Sequence, residues 1–101
     1  MSIDYYLTEE LLDLLHIIQN KSNLSQRQIA TEIGFSVGKV NYCLRTLLDI
    51  GFIKINNLNE TNHKLKYSYI LTAKGAKQKK IITKKFIAKN IREYEKLKNY
   101  I

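Results

Sequence analysis

Between Val37 and Thr46 the chain mixes apolar and polar residues at helical spacing. If Val37, Val40, Leu44, Leu47 and Leu48 face inward, the opposite side presents Gly38, Lys39, Asn41, Tyr42, Arg45 and Thr46. These side chains suit gripping and reading a polyanion. Lys39 and Arg45 carry positive charge that can neutralise phosphate or donate to a guanine edge. Asn41 has the paired donor and acceptor that match an adenine edge, and Tyr42 can bond a phosphate or touch a thymine methyl. Gly38 leaves room for close backbone approach. The plain alternative is a solvated helix face. Ser25, Gln26, Arg27 and Ser36 form a second set at two helix starts, where free amides and the helix dipole favour an anion. Their alternative role is capping alone, which is the primary reading for Ser25.

No arrangement suited to bond-making chemistry stands beside them. The segment Gly34-Phe35-Ser36-Val37-Gly38-Lys39-Val40 looks like a phosphate-binding loop, but its spacing is one residue short. Val40 also stands where a hydroxyl is needed, and the segment follows a helix rather than a strand. There is no nucleophile elbow, no pair of catalytic carboxylates and no histidine with an orienting partner. His16, His63 and Cys43 lack metal-ligand spacing. Cys43 reads as a small core residue, without the basic cluster or second cysteine a redox switch would use. His16, beside an apolar stripe, reads as structural. The expectation is no enzyme, no metal and no cofactor.

The elements that position the polar face follow from composition and pattern. The chain has 101 residues, enough for one compact core. It is 45% hydrophobic and 26% charged, which fits a folded domain. It has no proline and 4 glycines, which points to mostly helix. No apolar run approaches the ~20 residues of a membrane span. The start, Met1-Ser2-Ile3-Asp4-Tyr5-Tyr6, lacks the basic and apolar regions of a signal peptide, and the single cysteine suits a reducing cytoplasm. The net charge of +8 is uneven: residues 1–71 hold 7 basic and 7 acidic side chains, whereas residues 72–101 hold 10 and 2. A basic excess of this kind points first to nucleic acid and second to an anionic surface.

Leu7, Leu11, Leu14, Leu15 and Ile18 predict a first helix, capped by Thr8 and ended by the loop Asn20-Lys21-Ser22-Asn23. Ser25-Gln26-Arg27-Gln28 is a capping box, flanked by Leu24 and Ile29 at staple spacing. That second helix ends at Gly34. Ser36 caps the third at once, and Gly51 ends it. Two helices joined through Gly34-Phe35-Ser36 have the form of a helix-turn-helix. The period then falls to two. Ile53 and Ile55 form one apolar face, 57–63 a polar loop, and Leu65, Tyr67, Tyr69 and Leu71 the returning strand. A last helix is capped by Thr72 and runs to the end, with Ile87, Ile91, Tyr94, Leu97 and Ile101 as a seam too distant for the head to bury. Such a seam asks for a second copy. Lys85, Lys89, Arg92 and Lys96 flank it as a charged ridge, while Lys74, Lys77, Lys79 and Lys80 lie nearer the hairpin and could add attraction for DNA. The division is 1–71 as a head and 72–101 as a basic dimerisation helix, one structural unit overall.

This order is that of the winged helix-turn-helix: mainly α, with a small two-stranded β-wing and a long C-terminal dimerisation helix. Ser25 to Ser36 resembles the phrase S-x-R-x-[IL]-A-x-x-[IL]-G-[hydrophobic]-S of bacterial transcription regulators. Leu44 to Ile53 resembles the L-x-x-L-x-x-x-G-x-I that closes a recognition helix, and Leu71-Thr72-Ala73-Lys74-Gly75 the L-T-x-K-G that follows the wing in MarR-type regulators. Gly38 to Leu44, with the short basic tail, is similar to the exopolysaccharide-associated members of that family. The resemblance spans roughly residues 8–101. It implies a homodimer on a pseudo-palindromic operator, with residues 37–46 in the major groove and the wing residues Asn62, His63, Lys64 and Lys66 on flanking DNA. MarR-type proteins are typically longer, so no internal small-molecule effector is expected; no membrane partner is expected either, because the seam is a narrow stripe with Tyr94 and Tyr100 at its end. The alternative is a winged-helix module that binds another protein, with only non-specific affinity for DNA.

Overall fold

The computed structural model describes residues 9–21, 24–61 and 64–101. Its elements are α1 (Glu9–Asn20), α2 (Gln26–Ile33), α3 (Val37–Asp49), β1 (Ile53–Thr61), β2 (Lys64–Leu71) and α4 (Ala73–Lys98). The expected contributions of Leu7 and Thr8 to α1, and of Ser22 and Asn23 to the following loop, lie outside the described residues.

Local chemistry sets the helix ends. Ser25 Oγ accepts from the Gln28 amide at 3.1 Å, and Gln28 Oε1 accepts from the Ser25 amide at 2.8 Å, completing the capping box. Gly34 closes α2 at φ 80°, which an L side chain rarely adopts, and its N–H bonds Ala30 O. Ser36 Oγ then accepts from the Lys39 amide and opens α3. Gly51, also at φ 80°, turns the chain out of α3 into the hairpin.

Leu11, Leu14, Leu15 and Ile18 of α1 meet Ile29 and Ala30 of α2 and Val40, Cys43, Leu44 and Leu47 of α3 in one core. Phe52, Ile53, Tyr69 and Ile82 close it. Leu14, Leu15, Val40, Leu47 and Phe52 are fully buried. Removing any such side chain to alanine costs about 2–5 kcal/mol, because a cavity is left behind.

Three local expectations need correction. Val37 is 42% exposed, although its angular position matches the stripe, so the apolar contact of α3 begins only at Val40. Ile55 is 45% exposed, unlike buried Ile53. A register shift between Ile55 and Asn57 ends the simple alternation there, as an extra residue in one strand does. The stretch 57–61, expected as loop, is strand: Asn57 pairs with Ser68, Leu58 with Tyr67 and Thr61 with Lys64. Ladder pairing with β2 outweighs the weak strand preference of Asn and Glu.

The start of α4 is clamped onto the turn after α3. The Thr72 amide donates to Phe52 O at 3.0 Å, and Thr72 Oγ1 donates to Gly51 O at 2.6 Å while accepting from the Gly75 amide at 2.9 Å. Lys74 Nζ donates to Ile50 O at 3.0 Å. Gly75 lies so close to Phe52 that a Cβ there would stand 1.9 Å from its carbonyl oxygen. Lys79 Nζ hydrogen-bonds Gln19 Oε1, tying α4 to α1. Ile82 is buried and Phe86 packs on the core, but every residue from Ile87 to Ile101 is exposed. The molecule is therefore elongated, 58 × 26 × 25 Å. Among the described residues, no helix is long and apolar enough to cross a membrane.

Candidate nucleic-acid interface

The outward side of α3 is polar because its inward side is committed to the core. Val40, Cys43, Leu44 and Leu47 point in, which leaves Gly38, Lys39, Tyr42 and Arg45 exposed and Asn41 and Thr46 half-buried. Asn41, Tyr42, Arg45, Thr46 and Asp49 line a shallow groove of about 330 Å³ along this side. Tyr42 is 71% exposed, a large aromatic in water. Arg45 is exposed and makes no ion pair among the described residues. Thr46 Oγ1 is turned back onto Tyr42 O at 3.1 Å.

The remaining expected residues divide by what already holds them. Lys39 Nζ pairs with Glu10 Oε2 at 2.9 Å and lies 4.1 Å from the centre of the Phe35 ring. Ser25 and Ser36 spend their hydroxyls on capping. Arg27 is exposed on the first turn of α2. Gln26 is half-buried and internally bonded: its Oε1 accepts from Asn41 Nδ2 at 3.2 Å, and its Nε2 donates to the Tyr69 hydroxyl at 3.3 Å. Lys64 and Lys66 belong to β2, while Asn62 and His63 lie outside the described residues. In α4, Lys74 and Lys79 are engaged as above, and Lys77 and Lys80 are exposed.

Three features were not read from the sequence. Val37 adds an exposed apolar surface at the first turn of α3. Glu10 restrains Lys39 from a distant part of the chain. Gln26 joins α3 to β2. Only the helical spacing of Val37 carried a signal, and it pointed inward.

Cys43 is buried on the inner side of α3, and burial pushes its thiol up from 9.0; the Lys39 charge lowers it and that of Glu10 raises it. His16 is exposed on α1 beside Asn20, whose Nδ2 donates to His16 O at 3.0 Å. Among the described residues, no three His, Cys, Asp or Glu side chains are grouped to hold a metal ion.

Residues 11–54 match a family described as winged helix-turn-helix DNA-binding. The fold is a winged helix-turn-helix. In that fold α3 stands in the position of the second helix of the helix-turn-helix and β1–β2 in that of the wing. Lactococcus lactis ZitR, in apo form, superposes with a TM-score of 0.67 at 20% identity, over 96% of this chain and 70% of that one. Streptococcus pneumoniae FabT in complex with DNA gives 0.67 at 17% identity, over 93% and 64%. S. aureus MepR bound to an oligodeoxyribonucleotide gives 0.68 at 20% identity, over 90% and 66%. The chain thus spans about two thirds of the length of these structures. No curated protein matches it by sequence.

Proposed function

We propose that this chain is a MarR-type transcription regulator that binds double-stranded DNA sequence-specifically as a homodimer. The observation that carries the proposal is the polar outer side of α3, where Lys39, Asn41, Tyr42 and Arg45 stand on a helix whose other side is fully committed to the core. A helix held in this way can enter a major groove without reorganising. FabT and MepR were each solved with DNA, which supports the same use of this fold here. The wing, with Lys64 and Lys66, would follow the flanking backbone. Ser25, Arg27, Ser36 and Gly38 would lie against phosphates at the two helix starts. The further likeness to exopolysaccharide-associated regulators rests on Gly38 to Leu44 and the basic tail.

The exposed side of α4 supports the homodimer. Ile87, Ile91, Tyr94 and Leu97 are each more than half exposed, on a helix that leaves the head after Phe86. Burying that stripe against a second copy removes apolar surface from water. Two heads joined in this way would call for half-sites about 10 bp apart, or a multiple of that. Hydroxyl-radical footprinting of the protein on its own upstream region tests the proposal. Two protected patches related by a pseudo-dyad are expected, and uniform protection would contradict it. A second reading draws on the same exposed stripe: a winged-helix module that uses it to bind another protein and meets DNA only through charge.

A further inference from the structure

Three polar side chains from three elements form a chain that ends on the outer side of the recognition helix. The Tyr69 ring is buried at the base of the wing, 6% exposed, and its hydroxyl accepts from Gln26 Nε2. Gln26 Oε1 in turn accepts from Asn41 Nδ2. Gln26 is the first residue of α2, and Asn41 lies one turn into α3. Among the described residues, nothing else bonds the Asn41 side chain. It therefore keeps a second N–H and its whole Oδ1 for an outside partner. Asn41 is half-buried and lines the groove that also holds Tyr42 and Arg45.

We infer that Gln26 is a positioning residue that makes Asn41 select adenine against guanine. This rests on the reading of α3 as the recognition helix. An unrestrained asparagine can turn its amide over. With Oδ1 accepting from N6–H and Nδ2 donating to N7 it matches adenine; turned over, its Nδ2 can donate to guanine O6 instead. Gln26 Oε1 is an acceptor and needs an N–H opposite it, so it holds Nδ2 on its own side. One Nδ2 proton goes to Gln26, and the other remains for N7. Oδ1 is then fixed where guanine would bring O6, acceptor against acceptor. Gln26 Nε2 faces the Tyr69 hydroxyl while Oε1 faces Asn41, so the wing base and the recognition helix share one polar strut.

The test is selection of a binding site from a randomised duplex library, followed by anisotropy on single A-to-G replacements in the selected duplex. The parent protein should show one adenine per half-site whose replacement by guanine weakens binding about tenfold or more, the range of one good bidentate contact. Asn41→Ala should abolish that preference. Gln26→Leu should cut it severalfold. Gln26→Glu should restore it at weaker overall affinity, because a carboxylate still accepts from Asn41 Nδ2 and can accept from the Tyr69 hydroxyl. Tyr69→Phe, which keeps the ring, provides a second probe of the strut and should reduce the preference less than Gln26→Leu. A selected motif whose base preferences are identical in Asn41→Ala or Gln26→Leu overturns the inference and leaves the proposed function standing. A library from which the parent protein selects nothing overturns both.

Discussion

Replacing Gly75 by alanine should destabilise this protein, although alanine is the better helix former. Gly75 is the third residue of α4, and helix propensity alone favours alanine by about 1 kcal/mol. A Cβ built there stands 1.9 Å from Phe52 O, 2.7 Å from Phe52 C and 2.9 Å from its Cα. All three are backbone atoms, so no side chain can swing aside. The helix start must move by more than 1 Å, since ordinary contact begins at 3.4 Å. That movement strains the Thr72 bonds to Phe52 O and Gly51 O. Overpacking costs roughly 1–3 kcal/mol and weakening the two hydrogen bonds about 1 kcal/mol together, so the net loss after the propensity gain is about 2 kcal/mol. In a domain of this size that is a fall of roughly 8–16 °C in Tm. Gly38→Ala is the internal control. Nothing lies within 4 Å of a Cβ at Gly38, so alanine there should stabilise α3 by up to about 1 kcal/mol. Urea unfolding of both variants reads the two signs directly. A Gly75→Ala protein as stable as the parent would refute the close approach of α4 to Phe52.

Other perturbations have equally definite outcomes. Arg45→Ala and Lys39→Ala should each weaken DNA binding and reduce the slope of log affinity against log salt by about 1; unchanged affinity in both would contradict the orientation of α3. Glu10→Gln removes the carboxylate that competes with phosphate for Lys39, so binding should tighten, by no more than about fivefold for so exposed a pair. Ile91→Lys should yield monomers in sedimentation equilibrium, and a surviving dimer would move the interface off α4. The folded-state thiol of Cys43 is raised by burial, so deprotonation favours the unfolded chain. Stability should therefore be unaffected by this group below pH 9.0 and fall as pH rises beyond it, with Cys43→Ala lacking that loss in alkaline urea titrations.

What could be read from the sequence was local. Ser25, Ser36 and Thr72 cap helices through residues three positions away, and Gly34 and Gly51 turn the chain by their own backbone freedom. The apolar stripes of α1 and α3 were legible for the same reason, because period and burial coincide wherever a neighbour covers the helix. Val37 breaks the rule at the first turn, where period continues without cover. The strand 57–61 was hidden because its residues favour loops and only the partner strand makes them pair. No spacing encodes a contact between distant segments. Glu10 with Lys39, Gln26 with Asn41 and Tyr69, and Gly75 with Phe52 became visible only in the folded chain. The polar side of α3 was legible as a set, whereas which of its members are already restrained was not.

If the outer side of α3 reads a DNA sequence, binding must discriminate between duplexes of equal length and charge. Fluorescence anisotropy with labelled duplexes tests it most directly, comparing the upstream region of the protein's own gene with a scrambled control at low and at physiological salt. A preference of about a thousandfold that persists at physiological salt is expected. Equal binding to both duplexes, lost as salt rises, would contradict sequence reading by α3 and leave only a basic surface.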